Sequence, residues 1–167
     1  METAEHNRAL RELAVDYTDA LKGLLGESLV AVVLFGSVAR REATSVSDID
    51  LLIIARDLPR GRLARQERLS AADDLLAPRL AALRKQGVLT DFSPVLKSPE
   101  EAERLTPLYL DLVEDAVILF DREGFFSAIL AHLRSSLDRL GARRLKRGRI
   151  RYWELKPDYV PGEIFEL

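Results

Sequence analysis

Leu29-Val30-Ala31-Val32-Val33-Leu34-Phe35-Gly36-Ser37, ten residues from Val38 to Ser47, then Asp48-Ile49-Asp50-Leu51-Leu52-Ile53-Ile54-Ala55: this stretch decides the fold. The two apolar runs read as strands buried on both faces, because neither alternates with polar residues. Between them lie a tight turn, a short polar segment and two carboxylates. Residues i and i+2 of a strand point to the same side. Asp48 and Asp50 therefore present like charges together at the edge of an apolar sheet. Such a pair is unfavourable without a cation between its members. A hard divalent ion with oxygen ligands is the usual partner.

Gly36 carries no Cβ, so backbone and ligand can approach closely there. Ser37 is expected to cap a short following helix. The free N–H groups of that first turn would then hold a phosphate. A phosphate cradle beside a metal-binding carboxylate pair points to Mg²⁺-dependent chemistry on a nucleoside triphosphate. Each half alone is ordinary turn chemistry, Gly-Ser after a strand or Ser-Asp before one. The two halves together, between buried strands, carry the functional reading.

Gly36-Ser37-Val38-Ala39-Arg40 followed by Ser47-Asp48-Ile49-Asp50-Leu51 resembles the signature of the minimal nucleotidyltransferases of the DNA polymerase beta superfamily. Their pattern is Gly-Ser-x-Ala-Arg-Gly, a spacer, then Ser-Asp-x-Asp-Leu. The chain departs from it at Arg41, where the family has Gly. That change bears on the turn and removes no ligand. The resemblance implies an α/β (α+β) polymerase-beta-like fold, a mixed twisted sheet with helices mainly on one face. It also implies transfer of a nucleoside monophosphate from an NTP, expected to be ATP, to an acceptor hydroxyl, with two Mg²⁺ ions. Gly36, Ser37, Arg40 and Ser47 are the nucleotide-binding candidates. Asp48, Asp50 and Asp91 are the catalytic and metal-binding candidates.

Asp91 is chosen because the superfamily places a third acid on a later, adjacent strand. Val88–Leu96 reads as that strand, and a lone charge inside it would need a partner. Asp111, Asp115 and Asp121 are weaker rivals, on a helix and in a turn. Ser47 has a plainer reading as the cap of the turn before the second strand. His6 and His132 are isolated and read as surface or helix positions. Tyr152 and Trp153 could stack on a base, although packing against the core is the plainer reading.

The rest of the chain alternates helices and strands. Helices are expected from Ala4 to Leu25, with Leu24 on its inner face, from Gly61 to Lys85 with a kink at Pro78, and from Phe125 to Leu140. Ser98-Pro99-Glu100-Glu101 is a helix start with Ser as cap and Glu at N3. Val117–Phe120 reads as a short strand, and Gly141 onward as an irregular or extended arm. Residues 1–124 are expected to form the catalytic domain and 125–167 a helix and tail packed on it.

Composition narrows the partners. The 167 residues are 47% hydrophobic and 31% charged, with net charge -2 and no cysteine. That balance is globular, excludes disulfides and thiolate metal sites, and argues against a whole-protein nucleic-acid footprint. No apolar run reaches membrane-span length, and Met1-Glu2-Thr3-Ala4-Glu5-His6 lacks a signal-peptide core; a cytoplasmic home is expected. Arg134, Arg139, Arg143, Arg144, Lys146, Arg147, Arg149 and Arg151 form a basic run opposed only by Asp138. It reads as a solvated helix end, or as a contact for RNA, phosphates or an acidic partner. Three functions follow: an enzyme as above; an antitoxin-type protein that binds or AMPylates an all-helical HEPN-type toxin, as the resemblance implies; or a nucleotide-binding module without turnover. The acceptor and the oligomeric state, a homodimer among the options, stay open.

Overall fold

A computed structural model describes residues 3–148 and 150–167. Met1, Glu2 and Arg149 therefore lie outside the described residues. Strands β1 (Leu29–Phe35) and β2 (Ile49–Ala55) form the centre of the sheet, as their apolar runs require. They pair antiparallel, with Phe35 opposite Asp50 and Leu34 opposite Leu51. Strand β3 (Phe92–Lys97) lies parallel to β2 on one edge, and β4 (Val117–Asp121) lies antiparallel to β1 on the other. The order is β3-β2-β1-β4, a mixed sheet with Pro94 on an edge strand. Proline is tolerated there, because an edge does not need every ladder bond.

Helices cover both faces rather than mainly one. On one face α1 (Thr3–Leu25) and α4 (Ser70–Lys85) bury Leu34, Ile49, Leu51 and Ile53. On the other, α6 (Pro107–Asp115) and α7 (Phe125–Leu140) bury Val33, Leu52 and Ile54. The reason lies in the strands. β1 and β2 have no polar face to leave in water, so both sides need a cover. Each large aliphatic side chain so buried contributes about 1.5–3 kcal/mol.

Three local differences from the sequence reading have physical causes. Leu24 is 40% exposed because it falls off the inner face, while Leu21 and Leu25 on either side of it are buried. The helix expected from Gly61 to Lys85 is two, α3 (Arg62–Glu67) and α4, broken at Arg68–Leu69; Pro78 sits inside α4. The arm after Gly141 is a hairpin, β5 (Arg143–Arg147) and β6 (Ile150–Glu154). Trp153 packs against the α6–α7 core, while Tyr152 is 46% exposed. The cap expected before Pro99 is a complete capping box opening α5 (Pro99–Ala102): Glu101 N–H donates to Ser98 Oγ, and Ser98 N–H to Glu101 Oε2. Asp121 caps α7, accepting from the Phe126 and Ser127 amides. No helix among the described residues is long and apolar enough to cross a membrane.

Tyr17 joins α1 to the start of β3. Its ring stacks on Phe92 with centroids 4.0 Å apart, and its hydroxyl donates to Asp73 Oδ1 at 2.7 Å. Burial, then that hydrogen bond, pushes the phenol well above its ordinary pKa. It stays a neutral donor across the physiological range.

Candidate active site

β1 ends in a one-turn helix, α2 (Gly36–Ala39). Gly36 is its first residue, with φ +69°. No side chain caps this turn, so the cap expected of Ser37 is absent. Ser37 lies within the helix, past the position from which its hydroxyl could accept from the second or third amide. The glycine matters for a second reason. A Cβ built there would stand 2.1 Å from Asp50 Oδ2. The turn and the Asp50 carboxylate are thus pressed together.

Asp50 is half-buried on β2, and Asp48 stands exposed just before the strand. Burial raises the pKa of Asp50 above the ordinary carboxylate value, and the charge of Asp48 raises it further. A hydrogen bond from Ser93 and the charge of Arg40 oppose the rise. Ser93 is the direct β3 partner of Asp50 in the parallel register. The residues that the sequence placed side by side are close enough for their charges to oppose each other.

Asp91 is placed differently. β3 begins only at Phe92, so Asp91 precedes the strand instead of lying inside it. Its backbone is beside the pair, because the Ile49 amide donates to Asp91 O at 2.9 Å. Its carboxylate is engaged elsewhere. Oδ1 accepts from its own chain at the Phe92 amide, and Oδ2 lies 3.5 Å from Arg84. Exposed to solvent, it needs no partner of opposite charge. Among the described residues no three acidic or histidine side chains gather as a metal cluster. The rivals are also occupied: Asp111 and Asp115 by Arg144, Asp121 by the start of α7.

The polar segment between the two motif halves is held by α1. His6 Nε2 bonds Thr44 O at 2.8 Å, and Asn7 Oδ1 accepts from the Ala43 amide at 3.1 Å. His6 lies on α1, one of the two placements expected of it, and is buried there. Ser47 Oγ accepts from the Thr44 amide at 2.9 Å and closes the turn before β2. Arg41 adopts φ 60°, the conformation that the family's glycine would take. The turn survives the substitution at a cost of about 1 kcal/mol for a side chain in the left-handed region. Arg41→Gly is accordingly expected to stabilise the fold by up to about 1 kcal/mol, offset in part by unfolded-state entropy. Thermal denaturation should show an unchanged or higher midpoint; a clear drop would mean that the Arg41 side chain is itself an anchor.

Arg40 lies at the rim. Its Nε donates to Glu42 Oε2 at 3.0 Å, and its Nη1 is 3.6 Å from Asp115 Oδ2. The C-terminal hairpin closes on the same two acids. Arg151 donates to both oxygens of Glu42, and Arg144 to both oxygens of Asp115 at 2.7 and 2.6 Å. Part of the basic run is thus spent inside the molecule, Arg134 on Glu114 included. The basic run marked Arg144 and Arg151 as candidate phosphate contacts, but no local pattern marked Ser93 or Glu42, which register and long-range ion pairs bring there.

Comparison with known proteins fits this geometry. The model of the nucleotidyltransferase domain family matches residues 18–166. The chain belongs to that family. A nucleotidyltransferase moves a nucleoside monophosphate from an NTP to an acceptor, and this chain is an enzyme of that kind. A relative from Methanocaldococcus jannaschii, named as a protein adenylyltransferase, is 28% identical over 135 residues, 80% of this chain and 86% of its own. Two solved structures are similar at lower identity. One is a toxin-antitoxin complex with AMP-PNP: 19% identical, TM-score 0.47, covering 77% of this chain and 92% of the other. The second is a tri-AMPylated HEPN toxin of Shewanella oneidensis with its MNT antitoxin: 18% identical, TM-score 0.43, covering 79% and 92%.

Proposed function

We propose that this nucleotidyltransferase moves AMP from ATP to a hydroxyl group on a protein, with Mg²⁺ at Asp48 and Asp50. The close approach of Gly36 to the Asp50 carboxylate carries this reading. Any side chain at Gly36 would collide with that carboxylate, so the glycine keeps the turn and the candidate metal ligand together. The M. jannaschii relative, named for protein adenylylation, supports ATP and a protein acceptor. The carboxylate pair fits the cation, since two like charges share one rim and Ser93 and Arg40 relieve the half-buried member only in part. A bound Mg²⁺ would neutralise the phosphate charge that builds up during transfer.

The acceptor oxygen attacks the α-phosphorus, the bond to the bridging oxygen breaks, and pyrophosphate leaves. The hydroxyl proton needs a base. Asp91 is our candidate for it and for a further metal ligand. Its carboxylate would have to leave the Phe92 amide and Arg84 to join the pair. Ser37 and Arg40 are the candidates for holding the phosphate tail, and Ser47 shapes the turn below it. A HEPN-type helical protein, implied by the sequence signature, is the first acceptor to try.

The test uses ATP labelled at the α-phosphate, Mg²⁺, and the purified chain with the product of its neighbouring gene. Label in a protein band, absent with unlabelled competitor, is the expected result. Label in nucleic acid or small molecules alone would overturn the protein acceptor. Binding of ATP without any transfer would leave a nucleotide-binding module in place of the enzyme.

A further inference from the structure

Glu42 holds two cations at once. Oε2 accepts from Arg40 Nε at 3.0 Å and from Arg151 Nη1 at 3.1 Å, and Oε1 accepts from Arg151 Nη2. These bonds pull its pKa down to about 2, with Arg151 the larger cause. Its side chain is nevertheless 48% exposed, and Arg151 ties it to the hairpin. Exposed pairs of this kind are weak. Beside it, Arg144 is fixed on Asp115, and Asp115 in turn faces Arg40. Arg40 is the link to the carboxylates, because it ends α2, its amide donating to Gly36 O at 3.2 Å, and Gly36 lies against Asp50.

A carboxylate between two guanidinium forks occupies a seat that also fits a phosphate. Phosphate offers a third oxygen and more charge to the same donors. We propose that Glu42 stands in for the terminal phosphate of the substrate, and that Arg151, on the hairpin, is a phosphate ligand of the nucleotidyl-transfer site. On binding, the triphosphate displaces Glu42 from Arg40 and Arg151, while Asp115 keeps Arg144 and the hairpin in place. The hairpin is then a wall of the site, and its arginine selects triphosphates over monophosphates. This inference rests on the transfer reading above.

Two variants test it, measured on the full chain with Mg²⁺ against ATP and AMP. Arg151→Gln should weaken ATP by about tenfold or more, the size of a lost charge-assisted bond, and leave AMP within about threefold. Glu42→Gln should tighten ATP, because the competitor for both arginines has lost its charge, again with little effect on AMP. Arg151→Lys should recover only part of the ATP affinity, since a point charge replaces a fork. The inference is overturned if Arg151→Gln weakens ATP and AMP alike or neither, or if Glu42→Gln weakens ATP as Arg151→Gln does. The last result would make the pair a structural clasp. A parent chain that binds neither nucleotide would overturn the transfer reading and this inference with it. A parent that binds ATP but shows no such selectivity change would overturn this inference alone.

Discussion

Asp50→Asn is expected to abolish nucleotidyl transfer and, at the same time, to make the metal-free protein more stable. Both effects come from one carboxylate. Asp50 is half-buried on β2, and burial, then the neighbouring charge of Asp48, raises its pKa. An acid whose folded pKa is raised is less stable ionised in the fold than in the unfolded chain. Its cost appears as pH rises through the ordinary carboxylate value and is complete once pH exceeds the raised folded value. Asparagine keeps the shape and an acceptor for Ser93 but carries no charge. Relieving strain of this kind at a functional site commonly gains about 0.5–2 kcal/mol, or a rise in midpoint of roughly 1–8 °C for a chain of this size. Transfer should fall by a factor of about 10³ or more, since one of the expected metal ligands is lost. Mg²⁺ with ATP should raise the melting temperature of the parent by mass action and leave the variant unmoved. The measurements are melts with and without chelator, and label transfer. An Asp50→Asn chain that melts lower than its parent without metal would show that the carboxylate is a structural anchor, and the metal reading would lose its basis.

How much of this was legible beforehand depends on how local each cause is. β1 and β2 announce themselves, because runs such as Val30–Leu34 and Leu51–Ile54 bury both faces of every residue. The same fact implies a helical cover on both sides, a consequence that the family resemblance obscured. The capping box at Ser98 and the α7 start at Phe125 follow from residues within one turn of each other. The hairpin was not legible. Arg143-Arg144-Leu145-Lys146-Arg147 has no apolar alternation, and its place is fixed by ion pairs to Glu42 and Asp115, distant in sequence. Ser93 was hidden for a similar reason: only the parallel register with β2 sets it opposite Asp50. The buried state of His6 depends on one bond to Thr44 O across the fold. Asp91 sits at a strand edge, where a shift of one residue decides between an inward carboxylate and a solvated one.

Gly36→Ala tests the geometry from the opposite side, without touching a charge. The added Cβ would meet Asp50 Oδ2 at 2.1 Å and Asp50 Cγ at 3.1 Å. It would also sit at φ +69°, which costs an L side chain about 1 kcal/mol before any clash. The clash cannot be relieved freely. Asp50 lies within β2, paired to Phe35 on one side and Ser93 on the other. Either the carboxylate turns away or α2 lifts from the sheet. In both cases the phosphate turn and the metal ligand part company. Misplacement of about 1 Å can cost roughly 10² in rate, so transfer should fall by at least that much. Stability should fall by about 1–3 kcal/mol from overpacking and backbone strain together. A double-mutant cycle separates the two costs. In an Asp50→Ala background the oxygen that clashes is gone, so Gly36→Ala should then cost little more than its backbone share. Equal destabilisation in both backgrounds would place the whole effect in the φ angle and would remove the close contact between turn and carboxylate on which the proposed chemistry stands.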